Sequence, residues 1–162
     1  MNRLMINAIT CFRILLGLLF MYCVLSDLNT IYLIAIFILT ALSDVSDGWL
    51  SRKYGLSSDD GAKLDVVCDF IFIMISTFSL VLTNLVPAWF LAVIILKLVE
   101  FFKTSDDALR YEKFGHFVAL MFYVLPILAV LLNDSFIILV LSVFITICAV
   151  ISSALRIHQK FY

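Results

Sequence analysis

Four aspartates, two glycines and an arginine fall at helical spacing in the first half of the sequence: Asp44, Asp47, Gly48 and Arg52, then Gly61, Asp65 and Asp69. Residues three or four apart share a helix face. Asp44, Gly48 and Arg52 therefore form one stripe with Asp47 beside it, and Gly61, Asp65 and Asp69 form a second. Carboxylates crowded into a partly dehydrated site repel one another and are costly to desolvate, so the cluster demands cations. Hard divalent ions meet that demand, because Mg²⁺ is usually held by a few carboxylates plus substrate phosphates. Two such ions about 4 Å apart clamp a phosphoryl centre and stabilise its attacking and leaving oxygens. Gly48 and Gly61 allow a bulky ligand to approach the backbone, and Arg52 offers a planar fork to phosphate.

The elements that must position these residues are membrane helices. The chain has 162 residues, 64% hydrophobic and 14% charged, with a mean hydropathy of +1.15. That composition fits no soluble domain. Six stretches approach the roughly 20 residues needed to cross a bilayer core: Met5 to Leu25, Thr30 to Leu50, Ala62 to Thr83, Val86 to Phe102, Phe114 to Leu132 and Ser135 to Leu155. Pro87 suits the first turn of the fourth and Pro126 is expected to kink the fifth. In the second stretch only the 12 residues Ile31 to Leu42 are free of acids, too few to cross, so that helix must continue through Asp44 and Asp47. The third must likewise reach back through Asp69 and Asp65. The ends of the two helices thus bring four carboxylates to one depth.

Cytoplasmic ends of membrane helices carry the excess of Lys and Arg. With six spans, Arg3, Arg52, Lys53, Lys63, Lys103, Arg110, Lys113, Arg156 and Lys160 all fall on one side, and the three opposite links carry no basic residue. Both termini and the carboxylates are accordingly expected at the cytoplasmic face. The fold expected is all-α, a single transmembrane domain of six helices over residues 1–162. A formal net charge of −1 excludes an electrostatic case for nucleic acid. Cys11, Cys23, Cys68 and Cys148 sit in apolar runs without metal or redox spacing and read as small hydrophobes. Ile14 to Leu25 could pass for the core of a signal peptide, but Arg13 interrupts its start and no cleavage site follows, so the segment is expected to stay attached.

The run from Asp44 to Arg52, eight residues, then Gly61 to Asp69 resembles the signature of the CDP-alcohol phosphatidyltransferase family. That signature is Asp-x-x-Asp-Gly-x-x-Ala-Arg, eight residues, Gly-x-x-x-Asp-x-x-x-Asp, and seven of its eight fixed positions match here, Ser51 standing in for Ala. The resemblance implies that Asp44, Asp47, Asp65 and Asp69 hold two divalent cations, Mg²⁺ or Mn²⁺. It further implies that Asp69 is the general base for an alcohol attacking the lipid-bearing phosphate of a CDP-alcohol, most simply CDP-diacylglycerol, with CMP leaving. Gly48, Arg52, Ser58 and Gly61 are then the contacts to the CDP-alcohol. Asn7-Ala-Ile-Thr10-x-x-Arg13 resembles a segment that often opens family members and lines the donor pocket. Lys113, with Arg110, lies where relatives that use a phosphorylated acceptor place basic residues, although the Gly before and the Thr after that lysine are absent. Serine, inositol phosphate, glycerol phosphate and phosphatidylglycerol all stay open as acceptors, glycerol 3-phosphate slightly ahead, and a homodimer in a prokaryotic cell membrane is the expected setting.

Plainer readings compete at several positions. Arg13 reaches the cavity or snorkels to the interface with equal weight. Lys97 and Glu100, spaced i, i+3, are expected to pair with each other. Asp59 and Asp60 read as solvated surface, and His116 as a core hydrogen-bonding residue or a ligand. The rival for the whole chain is a small cation transporter or channel subunit, but transporters tend to place such acids near the bilayer midplane between repeats, and the second half of this chain carries no partner motif.

Overall fold

The computed structural model describes residues 3–55, 59–104 and 113–161. Among these, the regular structure is entirely helical: α1 (Arg3–Leu25), α2 (Thr30–Lys53), α3 (Asp59–Leu82), α4 (Trp89–Thr104), α5 (Lys113–Leu132) and α6 (Ser135–Phe161). The all-α expectation holds, and each helix contains most of an apolar stretch seen in the sequence. α2 and α6 outrun those stretches at their C-terminal ends, to Lys53 and Phe161.

Among the described residues, five segments are long and apolar enough to cross a membrane: Asn7–Leu25, Thr30–Lys53, Gly61–Leu82, Gly115–Leu132 and Ser135–Leu155. Their outward side chains, such as Leu15, Ile31, Val45, Phe136 and Val150, are exposed, as befits a surface whose solvent is lipid. The chain is a multi-pass membrane protein. α4, at 16 residues, is the short helix. Pro87 does not lie in its first turn but precedes it, and the Pro87 and Ala88 carbonyls accept from the Phe90 and Leu91 amides at 3.0 and 3.2 Å. α5 runs through Pro126.

The chain divides into two compact units, Met1–Ser79 and Leu80–Tyr162. In the first, α1 packs along α2, and α1 meets α3 at Gly17. A Cβ built there would lie 3.4 Å from Phe72 Cδ2 and 3.5 Å from Phe72 Cα, so glycine permits a close backbone approach of the kind small residues provide between membrane helices. Phe72 is fully buried. Its ring centroid lies 6.4 Å from Phe20 of α1, edge to face, and 6.5 Å from Phe37 of α2. One aromatic side chain thus ties three helices together, one turn from Asp69.

In the second unit α5 and α4 both pack on α6, around Phe90, Ile94, Phe122 and Ile138. Lys97 and Glu100 pair at 2.9 Å, as their spacing predicts, and Ser153 of α6 completes the group. Its hydroxyl donates to Glu100 at 2.6 Å and accepts from Lys97 at 3.0 Å.

The tight links close through residues in the left-handed region. Asp27, Asn84 and Asn133 have φ of 50°, 60° and 46°, a conformation that Asn and Asp tolerate better than other side-chain-bearing residues. Asn29 accepts from the Ile31 amide at the start of α2, and Asp134 from the Phe136 and Ile137 amides at the start of α6.

Candidate active site

The carboxylates sit within the first unit. Asp44 and Asp47 are carried near the C-terminal end of α2, and Asp65 and Asp69 in the first half of α3. Their helix spacing puts each pair on one face, and the Gly17–Phe72 approach fixes the register of α1 against α3. Oxygens of Asp44, Asp47 and Asp65 lie within 4.8 Å of one another, close enough to share a cation. Asp69 is not among that trio and joins it through an arginine.

That arginine is Arg13 of α1, whose side chain has no solvent exposure. Its Nη2 donates to Asp65 at 2.6 Å and to Asp47, and its Nη1 donates to Asp69 and lies 3.2 Å from Asp44. Of the two readings the sequence left open, the structure selects the cavity. Thr10, one turn earlier, donates to Asp47 Oδ2 at 2.8 Å, and Ser43 donates to the Ile9 carbonyl at 3.0 Å. α1 therefore supplies the floor of the site. The sequence signal for this was the i, i+3 spacing of Thr10 and Arg13, which sets both on one face; nothing in it could show that the face meets α2 and α3.

The site is closed on one side and open on the other. Asp47 is the enclosed carboxylate at 5% side-chain exposure, whereas Asp69, Asp65 and Asp44 rise to 31%, 38% and 48%. A ligand entering from outside meets Asp44, Asp65 and Asp69 before it meets Asp47. The donor set suits a hard divalent cation, since it is made of carboxylate oxygens alone. A cationic group, the guanidinium, already lies among them.

Gly48 and Arg52 stand on the same stripe as Asp44. The Arg52 guanidinium lies against Gly48, with Nη1 3.5 Å from where a Cβ would be, and Arg52 is exposed. Gly61 is half-buried in the first turns of α3. Ser58 and Arg110 lie outside the described residues, as does the side chain of Lys113, the first residue of α5. His116 is exposed and not a core residue.

No curated protein matches the chain. A family profile does: the description "CDP-alcohol phosphatidyltransferase" matches residues 3–153. That stretch takes in every helix from the first turn of α1 to Ser153, the residue that closes the Lys97–Glu100 pair, and the chain belongs to the CDP-alcohol phosphatidyltransferase family.

Proposed function

We propose that the protein transfers the phosphatidyl group of CDP-diacylglycerol to a small alcohol, glycerol 3-phosphate foremost, and releases CMP. Transfer from a CDP-alcohol to an alcohol is the reaction of its family; the lipid donor and the acceptor are our reading. The observation that carries it is the convergence of four aspartates from two helices on one point with an open side. The family match favours this reading over a cation pathway.

Asp44, Asp47, Asp65 and Asp69 are the residues to hold divalent cations, Mg²⁺ or Mn²⁺. Bound there, the ions supply charge neutralisation to the donor's diphosphate. The chain's own residues do the rest. Arg52, exposed beside Gly48, can take a phosphate oxygen through two parallel N–H groups. Asp69 meets Arg13 through Oδ1, so its second oxygen is the one to accept the acceptor's proton. The alcohol oxygen attacks the phosphorus that bears the diacylglycerol, a new P–O bond forms, the anhydride bond to CMP breaks, and the proton goes to Asp69. Lys113 and Arg110 are the candidate contacts for a phosphorylated acceptor.

A site at the basic ends of α2 and α3 suits a donor whose tails stay in the bilayer while its nucleotide and the acceptor arrive from water. We assign that side to the cytoplasm on the distribution of Lys and Arg. Mass spectrometry of the lipid made from CDP-diacylglycerol and a panel of alcohols tests the reading. Phosphatidylglycerophosphate is the expected product. A different phosphatidyl lipid overturns the acceptor, and no new lipid with any alcohol overturns the reaction.

A further inference from the structure

Transfer chemistry does not by itself account for Arg13. Carboxylates from two other helices converge on the two terminal nitrogens of a side chain that has no solvent exposure. Its Nε is buried and has no hydrogen-bond partner among the described residues, although buried N–H groups are nearly always paired. The guanidinium is held by its far end only. One guanidinium faces the carboxylates of Asp44, Asp47, Asp65 and Asp69 together. A divalent cation would draw on the carboxylates of Asp44, Asp47 and Asp65, whose oxygens lie within 4.8 Å of one another and which Arg13 already contacts, and Asp47 Oδ2 is shared between Arg13 and Thr10.

We propose that Arg13 is the resident counter-cation of the carboxylate cluster, and that a divalent ion must displace its guanidinium from Asp47 and Asp65 in order to bind. The inference rests on the metal-dependent reading above. Arg13 holds α1, α2 and α3 together across their carboxylates before metal arrives, and it competes with metal for the same ligands. The affinity for metal is therefore lower than the bare carboxylates would give.

Mn²⁺ binding, read from the loss of the free-ion paramagnetic resonance signal, tests this on the full chain in detergent without donor. Arg13→Met should bind Mn²⁺ about ten-fold more tightly than the wild type, the scale set by one charge-assisted hydrogen bond. It should also melt at a lower temperature without metal and recover the difference when Mn²⁺ is added. Equal or weaker affinity in Arg13→Met overturns the proposal. Should that variant not fold, Arg13→Lys decides, because a shorter, single-point cation cannot hold four carboxylates; its affinity must also exceed that of the wild type, and equality overturns the proposal. Asp47→Ala separates the two layers of the argument. A wild type that binds no Mn²⁺, or binds it equally after Asp47→Ala, removes the metal reading and this proposal with it. Binding that requires Asp47 but is tightened by neither Arg13 variant overturns this proposal alone.

Discussion

Asp47 is the most enclosed of the four carboxylates, and two side chains of α1, Thr10 and Arg13, both reach it. It is the carboxylate that takes hydrogen bonds from both of these α1 side chains, whereas Arg52 is exposed on the same helix. These positions give different expectations on substitution. Arg52→Lys keeps the charge but loses the planar fork. It should raise KM for the donor about ten-fold, the loss of roughly 1.4 kcal/mol of binding, with a smaller effect on kcat; steady-state kinetics with varied CDP-diacylglycerol checks the split. The aspartates were legible in the sequence because a spacing of three or four residues survives any helix packing. Arg13 was not, because a cation in the second or third turn of a membrane helix can bend to the interface or to a neighbour, and only the position of α3 decides between them.

At the scale of the elements, helix existence was plain in the apolar runs and helix contact was not. Gly17 gave no sign in the sequence that it marks the approach of α1 to α3, since its role depends on Phe72 across the gap. The contact distances set a test. A methyl group at Gly17 would sit at ordinary van der Waals distance from Phe72, so Gly17→Ala should be tolerated. Gly17→Leu should cost about 1–3 kcal/mol by overpacking and lower activity by shifting Arg13 against Asp69; thermal melting and turnover of both variants check this. The links give a second test. Asn133 is held at φ 46°, so Asn133→Gly should be neutral or slightly stabilising, while Asn133→Val should lose about 1–2 kcal/mol because a β-branched residue is strained there. Unfolding midpoints of the pair measure the difference.

For the whole molecule, the distribution of basic residues is the argument for orientation, and α4 is its critical step. Sixteen residues at 1.5 Å rise reach about 24 Å, short of a core of roughly 30 Å, and the preceding turn at Pro87 and Ala88 adds part of the deficit. The sequence showed the apolar run of this helix but placed its start too early, with Pro87 in the first turn, because the fixed φ of proline suits the turn before a helix as well as its first residues. Crossing by α4 puts Asn84 and Lys103 on opposite sides. In a chain with its four cysteines replaced, Asn84→Cys and Lys103→Cys should react with a membrane-impermeant maleimide from opposite faces, and labelling from the same face would remove the sixth span. The account as a whole turns on catalysis by the α2–α3 carboxylates. Its most direct test is CMP release by purified protein given CDP-diacylglycerol, Mg²⁺ and glycerol 3-phosphate, compared with Asp69→Asn. The account predicts release by the wild type and a loss of at least about 100-fold in the variant, the lower range of a general base's contribution; undiminished CMP release by Asp69→Asn would contradict it.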